Sequence, residues 1–408
     1  MTVQHTAGTE GPSFPVLTLK ELDPDPHGVF RKYRKDHAVV LHETGGYFVL
    51  RAADVDRLAK DPRVGSSGTS YPEALGITSG AIIDLFTYSM ITAEGEVHRR
   101  RRAPFSRLFA SRAVSEMRQS IRRTADHLIS EWYERGEVDY FAEFAAPMPA
   151  RIISDLLGLP REEIPAFTAV VYEVTKIFSF GLKPEEITGI ETAVGRLRDY
   201  VDKAIQERRR SPREDFLSAF LAAANEAGEL SPEEMIYQIV PLIFGGADTT
   251  RVAAAMQLAL LLQHRDQWNE VCRNFTLIPG AVAEAMRFEP SGAGTARVAR
   301  EDIEVEGGVI PAGQLIVLSM MSAMRDEAAY RDPDKFDILR TDQPRLHPIF
   351  GFGIHRCLGE ALARAELEES LSAIAAKIPQ VQLDVAPKIR GHYGVRRVDA
   401  EMRLSWKP

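Results

Sequence analysis

The sequence predicts a single domain that is mainly α-helical with a small β-sheet region. Residues 103–210 form one helical pattern after another, interrupted at prolines. A strong helix start follows at Ser231, where an N-cap serine, a proline and a glutamate complete a capping box. The apolar pattern continues to about Leu262, which predicts a helix ~45–50 Å long. Alternating apolar and polar residues, which are typical of strands, are confined to three short regions.

Composition excludes several classes of protein. Hydrophobic residues make up 45% of the 408 residues, which is ample for a core. The net charge of -8 argues against bulk binding of nucleic acid. Two cysteines, Cys272 and Cys357, form no disulfide framework and fit a reducing cytoplasm. The N-terminus lacks a signal pattern and the longest apolar run is too short for a bilayer, so we expect a cytoplasmic protein without membrane insertion.

The first ninety residues combine small elements with irregular stretches. Residues 1–25 are rich in Gly, Pro, Thr and Asp, which predicts a loose leader. The pattern then predicts a short helix, a hairpin and a second short helix, over residues 26–35, 37–50 and 52–60. Residues 62–93 show no sustained periodicity. We interpret them as a long loop, apolar enough to cover an apolar pocket, although an ordinary surface loop fits equally well.

A basic run begins at His98 and continues through Arg102. These two residues are four apart, so they share one helical face and both can donate to a carboxylate. Arg107, Arg112 and Arg118 extend the run into what we call the basic stripe. Such runs are usually solvated helix faces.

The long helix carries Gly245-Gly246-Ala247-Asp248-Thr249-Thr250 in its middle. Each interior glycine costs about 1 kcal/mol relative to alanine. Small residues allow a ligand to lie against the helix, and a threonine hydroxyl can open the helix locally. The segment therefore predicts a ligand contact, the alternative being a harmless local defect.

The last third of the chain alternates helices and strands. Glu284 and Arg287 lie three apart on one face of a predicted helix over residues 279–288. Two strands then follow at residues 298–305 and 315–318. After them come an amphipathic helix at residues 361–377 and a terminal hairpin at residues 381–406.

Cys357 lies after a glycine-rich loop and before a helix. The positive end of a helix favours a thiolate, and glycines let the backbone approach a flat, bulky group. We hypothesise that Cys357 is the axial ligand of a haem iron; the alternative is a small buried apolar side chain. Cations scattered along the chain would suit a dianionic planar cofactor, namely His98, Arg102, Arg297 and His355.

These residues, in this order, resemble the cytochrome P-450 superfamily, and in particular its soluble bacterial-type members, over nearly the whole chain. Residues 350–359 agree with the family's cysteine signature, Phe-Gly-x-Gly-x-His-x-Cys-x-Gly, at every defining position. Residues 245–249 match the oxygen-activation motif, and Glu284-x-x-Arg287 matches the family's helix pair. Met324-Arg325-Asp326 departs slightly from the usual Asn-Arg-Asp.

The resemblance implies a monooxygenase with the cytochrome P-450 fold, haem b (iron protoporphyrin IX) held by Cys357, and O2 as co-substrate. It implies that Asp248 and Thr249 are catalytic and manage the two protons that O–O cleavage consumes. Glu284 and Arg287 would be structural. The implied cofactor-binding residues are His98, Arg102, Arg297 and His355, at the propionates, with Phe350, Gly351, Gly353 and Gly359.

The resemblance also implies a small, largely apolar substrate. The expected pocket residues are Ile83, Phe86, Phe178, Ile243, Phe244, Ala247, Ala293, Thr295 and Val395. Arg396 and Arg397 either anchor an acidic substrate or, as exposed arginines usually do, face solvent. The substrate class stays open between terpene, steroid, fatty acid, aromatic and polyketide.

Electrons are expected from NAD(P)H through ferredoxin reductase and an acidic ferredoxin. The ferredoxin would dock on a surface formed by Arg356, Arg364 and the basic stripe. The protein is expected to be a monomer.

Two other functions use the same cysteine. A peroxide-using peroxygenase would need no proton relay, so Asp248 and Thr249 argue against it. A haem sensor or electron carrier would leave that pair and the apolar loop unexplained. Zinc at His355 and Cys357 lacks a second ligand pair, and the third glycine of a dinucleotide-binding motif would fall on Arg356.

Overall fold

A computed structural model describes residues 14–43, 45–106, 108–109, 111–158, 163–178, 182–228, 230–344 and 347–408. Its α-helices are α1 (Leu19–Leu22), α2 (Pro26–Asp36), α3 (Ala52–Ala59), α4 (Ser70–Ala74), α5 (Ala81–Tyr88), α6 (Gly95–Arg102), α7 (Ser111–Trp132), α8 (Pro147–Leu157), α9 (Ile164–Thr175), α10 (Pro184–Arg210), α11 (Phe216–Ala227), α12 (Pro232–Gln263), α13 (Arg265–Arg273), α14 (Ile278–Phe288), α15 (Met320–Ala323) and α16 (Glu360–Lys377). None of the helices in these ranges is both long and apolar enough to cross a membrane.

The strands are short. They are β1 (Val16–Leu17), β2 (Val39–His42), β3 (Tyr47–Val49), β4 (Val64–Gly65), β5 (Glu137–Asp139), β6 (Gly294–Ala299), β7 (Ile303–Val305), β8 (Gly308–Ile310), β9 (Leu315–Ser319), β10 (Gln382–Val385), β11 (Ile389–Arg390), β12 (Arg397–Val398) and β13 (Arg403–Ser405). The mainly α fold with small sheets agrees with the prediction.

The long helix α12 is the element around which the other helices pack. Ser231 Oγ accepts from the Glu234 N–H at 3.1 Å, and the Glu234 carboxylate accepts from the Ser231 N–H at 3.0 Å. This predicted capping box is therefore confirmed. The helix runs unbroken through Pro241 and contacts α5, α8, α9, α10, α14 and α16. Because helices surround it, α12 is buried on most of its faces.

The main sheet has six strands in the order β1-β2-β3-β9-β6-β4. The predicted hairpin is confirmed as the antiparallel pair β2 and β3, with Gly45 and Gly46 at φ 91° and 93°. Alternate residues of the strands pack on opposite faces, as for Ile316 and Val317 of β9. The predicted terminal hairpin is confirmed as β10 and β13, and β5 adds a third strand that the sequence pattern did not reveal.

The expectation of a loose leader over residues 1–25 is wrong for its last part, while residues 1–13 lie outside the described residues. Val16 and Leu17 pair in parallel with Leu41 and His42, and Leu17 is fully buried. Thr18 then caps α1. A strand of two residues is too short to show a periodic pattern in the sequence. Its extended conformation therefore depends on pairing with β2.

The expectation of an irregular loop over residues 62–93 is wrong as well, because β4, α4 and α5 lie within it. The N-terminus of α5 is capped by another helix: the Ala81 and Ile82 N–H groups donate to the Glu191 carboxylate of α10 at 2.5 and 3.1 Å. Gly80, at φ 96°, turns the chain into the helix. A cap that lies 110 residues away leaves no local signal.

Helix α16 matches the predicted bounds within one residue, but it is not a half-exposed amphipathic helix. It packs between α7, α12 and α14, and it buries polar residues such as Glu366 and Ser370. Strand β6 begins at Gly294, earlier than predicted, because its partner β9 pairs with this glycine-containing segment.

Glu284 and Arg287 form a fully buried ion pair. Arg287 Nε and Nη2 donate to the two Glu284 oxygens at 2.7 and 2.8 Å. Arg287 Nη1 donates to the carbonyl oxygens of Met324 and Pro333 at 2.8 and 2.9 Å. The pair therefore fastens α14 to the segment that leads to Cys357. Since Met324 contributes its main chain, the departure from asparagine at this position leaves the contact intact.

Candidate functional site

The loop before Cys357 is held closed by its own main chain. The Cys357 N–H donates to the Phe350 carbonyl at 2.7 Å, and Arg356 Nη1 donates to the Gly351 carbonyl at 2.9 Å. Gly351 and Gly353 adopt φ of 74° and 58°, which favours glycine at both positions. This geometry fixes the Cys357 thiol just before the N-terminus of α16.

The Cys357 thiol opens into a cavity of about 390 Å³, although protein surrounds it on the other sides. Burial raises the pKa of the thiol, while the backbone N–H of Gly359 and the nearby Arg102 guanidinium lower it. A bound metal ion would complete the deprotonation, because a coordinating thiol loses its proton. The thiol is therefore placed as a soft ligand that faces an enclosed space.

The same cavity is bounded by α12 through Gly245, Gly246, Thr249 and Thr250. Adding a Cβ to Gly359 would meet no protein atom within 4 Å, so that glycine leaves the cavity open. Apolar side chains complete the lining, among them Ile153, Met286, Phe350 and Leu362. The combination suits a flat, mainly apolar ligand.

Four cationic or titratable side chains reach this cavity, as the sequence predicted: His98, Arg102, Arg297 and His355. Arg102 Nη2 donates to the Arg356 carbonyl, and Arg297 Nη1 donates to the Ala296 carbonyl. In the part of the chain that the structure describes, neither guanidinium has a carboxylate partner within ion-pair distance. Burial lowers the pKa of both. Two half-buried cations without a carboxylate partner among the described residues fit a ligand with two acid groups.

His98 and His355 lie edge to face, with ring centroids 4.7 Å apart. Burial lowers the pKa of His98, and burial together with the Arg297 charge lowers that of His355 to about 4. The two imidazoles are therefore neutral at pH 7 unless an anion binds beside them.

The predicted cofactor-binding residues thus divide into two groups. Phe350 and Gly359 line the cavity together with the four side chains above. Gly351 and Gly353 do not line it; they face a separate groove on the outer side of the loop. Gly351 and Gly353 therefore shape the backbone of the loop and do not line the thiol cavity.

A second cavity of about 320 Å³ adjoins the first. The two cavities share lining residues, among them Gly245, Thr249, Thr295 and Arg297, so they lie side by side. The predicted pocket residues that line the second cavity are Phe86, Phe178, Phe244, Thr295 and Val395.

The other predicted pocket residues lie outside that lining: Ile83, Ile243, Ala247 and Ala293. Ile243 and Ala293 are fully buried in side-chain packing. Residues 244, 245, 248 and 249 reach the cavity because they repeat at a spacing of four on one face of α12. Neighbouring positions such as 243 and 247 point elsewhere.

Thr249 lies at the junction of the cavities, since it lines both, whereas Asp248 lines the second cavity alone. Asp248 is buried and accepts from Arg251 Nε at 2.8 Å, while the Arg251 guanidinium stacks on the Tyr172 ring at 3.4 Å. Thr249 Oγ1 donates to the Gly245 carbonyl at 3.3 Å. Helix α12 stays continuous here, so the predicted local opening is not seen.

Glu366 is a residue that the sequence interpretation missed. It lines the Cys357 cavity, and among the described residues its Oε2 has no hydrogen-bond partner. Burial raises its pKa well above the usual range and so favours the protonated form. A glutamate in a helix is normally expected to be exposed. The sequence feature that could have indicated burial of Glu366 is its position four residues after Leu362, on the same face of the helix.

The basic stripe is not one solvated face. Arg100 Nη1 and Arg101 Nε donate to the Glu234 carboxylate at 2.7 and 2.9 Å, which ties α6 to α12. Burial by itself raises the pKa of Glu234. The hydrogen bonds from Arg100, from Arg101 and from the Ser231 backbone outweigh burial and lower this pKa to about 2. Arg99 is 74% exposed and pairs with Glu96.

The rest of the stripe is only partly described. Arg118 pairs with Glu368 and Glu369. Arg107 and the Arg112 side chain lie outside the described residues.

Arg396 fits neither of its two expected roles. It is buried, and its Nη1 donates to Glu289 Oε2 at 2.5 Å. It therefore neither faces solvent nor is available to an acidic substrate.

Comparison with known proteins agrees with this geometry. The family model described as Cytochrome P450 matches residues 71–375. "Cytochrome P450-pinF1, plant-inducible" of Rhizobium radiobacter is 38% identical, over 96% of this chain and 93% of that protein. Luteothin monooxygenase of Streptomyces thioluteus is 32% identical over 86% of each chain. The crystal structure of CalO2 superposes with a TM-score of 0.88 at 27% identity, covering 95% of this chain and 97% of that one.

Proposed function

The chain belongs to the cytochrome P450 family, and from that membership we propose a haem-thiolate monooxygenase that oxidises a small, largely apolar substrate with electrons from an external redox chain. Haem b would be held by Cys357, with its two acid groups bound by Arg102 and Arg297 and flanked by His98 and His355. When bound, the haem iron supplies O2 activation, with reducing equivalents from outside the chain.

One observation supports this function most strongly: the thiol cavity and the 320 Å³ cavity adjoin and share lining residues. A substrate in the second cavity would lie directly beside a cofactor in the first. Holding two reactants in contact converts an encounter in solution into a step within one complex. The largely apolar lining would also exclude water from that contact.

Two residues at or beside the junction are placed to handle protons. Asp248 is a buried carboxylate that pairs with Arg251 of the same helix, α12. The Thr249 hydroxyl is the polar side chain next to it at the junction. We infer that Asp248 passes protons to the Thr249 hydroxyl, which holds a proton donor beside the reacting oxygen.

The proton-handling role predicts the effect of two near-isosteric variants. Asp248→Asn lowers the turnover rate by about a hundredfold, within the range of a lost general acid–base group. Thr249→Val diverts electrons from product to hydrogen peroxide. Product and peroxide formed per NAD(P)H are measured together. Thr124→Val is the matched control, since Thr124 donates to the Ser120 carbonyl four residues earlier on the exposed part of α7. If Thr249→Val forms as much product per NAD(P)H as the unaltered protein, Thr249 does not handle protons in the reaction.

We further propose that the physiological donor is an acidic ferredoxin, reduced by ferredoxin reductase with NAD(P)H. Arg356 and Arg364 lie beside the cysteine loop and share Glu360, while Arg99 extends into solvent. Raising the ionic strength from 50 to 500 mM, about a threefold reduction in screening length, lowers the rate of reduction by ferredoxin in stopped-flow measurements. Arg99→Gln lowers the rate at low salt only. A rate of reduction by ferredoxin that does not change with salt would rule out electrostatic steering of the ferredoxin.

Reaction class is tested with the haem-loaded protein. The reduced protein with carbon monoxide should give the absorption band of a thiolate-ligated haem, and 18O2 should leave one labelled atom in the product. A band of a histidine-ligated haem would refute the Cys357 assignment. Product formed with hydrogen peroxide alone, at the rate of the full redox chain, would favour the peroxygenase, and no product under either condition would favour a carrier or sensor.

A further inference from the structure

The substrate cavity has a wall of aromatic rings. Tyr71, Phe86, Phe178 and Phe244 follow one another with ring centroids 6.0, 5.8 and 5.2 Å apart and interplanar angles of 32°, 27° and 35°. All four line the cavity. Tyr71 Oη donates to the Ile177 carbonyl at 3.0 Å, so the first ring is fixed to the turn that carries Phe178. The wall is assembled from four separate segments and is preorganised.

Several hydroxyls line the same cavity, and Ser66 Oγ accepts from the Gly68 N–H at 3.4 Å, which leaves its own O–H free to donate. Thr92, Thr175 and Thr249 donate to main-chain carbonyls of their own segments. Ser67 and Thr295 also line the cavity, and their side chains make no hydrogen bond to any of the described residues. A polar atom of a substrate can therefore bond to either of them without breaking an internal contact.

Charge in the cavity is already matched. Among its described lining residues the charged side chains are Asp248, which pairs with Arg251, and Arg297, which also lines the thiol cavity and would bind an acid group of the cofactor. A substrate carboxylate or ammonium group would find no partner of its own, and burying it unpaired is costly. The cavity therefore favours a neutral ligand.

Size narrows the choice further. About 320 Å³ lies near the lower limit of ligand pockets, which span about 300–1,000 Å³. A pocket of this size favours a small ligand, and one or two fused rings fit within it.

We propose that the substrate is a neutral, flat aromatic compound of one or two fused rings that carries a hydrogen-bond acceptor. Its ring stacks on Phe178 and Phe244, and its acceptor oxygen accepts from Thr295 or Ser67. This inference rests on the proposed function, because it names the substrate class of that same site.

The test is a titration of the haem-loaded protein, followed by the spectral shift that displacement of the iron-bound water produces. The probes are 2-methoxynaphthalene, its saturated counterpart 2-methoxydecalin, naphthalene and 2-naphthoate. Ring stacking should make 2-methoxynaphthalene bind about three- to tenfold more tightly than 2-methoxydecalin. The lost hydrogen bond should weaken naphthalene about two- to tenfold. The anion 2-naphthoate should not bind measurably.

Variants assign the preference to particular side chains. Phe178→Leu should abolish the tighter binding of 2-methoxynaphthalene relative to 2-methoxydecalin. Thr295→Val should abolish the tighter binding of 2-methoxynaphthalene relative to naphthalene. Phe275→Leu, at a side chain 41% exposed, is the matched control and changes neither ratio. Equal binding of the aromatic and saturated probes, or tighter binding of naphthoate, overturns the inference. If the carbon monoxide band of a thiolate haem persists in that case, the proposed function stands; if the band is absent, the function itself fails.

Discussion

Cys357→Ser is expected to abolish oxygen insertion and to remove the thiolate band from the carbon monoxide difference spectrum. Serine preserves the side-chain shape and the loop contacts, since the Cys357 N–H donates to Phe350 and not to a side chain. What it removes is sulfur, a soft and readily ionised ligand, which a hydroxyl cannot replace. Difference spectra, haem content and product formation are measured on the same preparation.

The matched control is Cys272→Ser. Cys272 is half-buried on α13, where burial raises the pKa of its thiol to about 11. This variant should retain both the band and the activity. A thiolate band that survives in Cys357→Ser, or that disappears in Cys272→Ser, would mean that the iron ligand has been misassigned.

Arg287→Leu is expected to destabilise the fold by about 3–5 kcal/mol, because it leaves the Glu284 carboxylate buried without its main partner. Arg287 is fully buried, and its guanidinium also satisfies the carbonyl groups of Met324 and Pro333. Arg340 still reaches Glu284 at 3.1 Å but cannot replace those contacts. Urea unfolding followed by circular dichroism gives the free energy of unfolding, and haem content reports the effect on the cysteine loop.

Arg57→Leu is the control for this prediction. Arg57 pairs with Asp54 at 3.2 Å with the same spacing of three residues, but its side chain is 45% exposed. Exposed pairs contribute about 0–1 kcal/mol, so the midpoint of unfolding should barely move. Equal losses in the two variants would show that burial does not control the energetics of the Glu284 pair.

The elements that the sequence predicted well are those with a local cause. The start of α12 follows from Ser231, Pro232 and Glu234, which lie within one helical turn. The loop before Cys357 needs glycine at 351 and 353 because its backbone takes positive φ there. The resemblance of residues 350–359 to the family signature has the same origin: ligand, loop and helix start are contiguous in the chain.

Assembly of the cofactor cavity depends on residues far apart in sequence, and here the resemblance supplied what periodicity could not. His98, Arg102 and Arg297 reach the cavity beside Cys357, as that resemblance implied. Their physical justification appears only in the fold. Arg102 and Arg297 are half-buried without a carboxylate partner among the described residues, which no spacing in the sequence could indicate.

The sequence by itself therefore determined the helical class, the long central helix, the capping box and the cysteine loop, because each depends on neighbouring residues. Tertiary structure decided the cap of α5 by Glu191, the pairing of Arg101 with Glu234 and the burial of Glu366, which raises the pKa of its carboxyl. It also decided that Phe244, and not Ile243, lines the second cavity. The physical reason is the same in each case: burial and charge pairing are set by segments that meet only after the chain has folded.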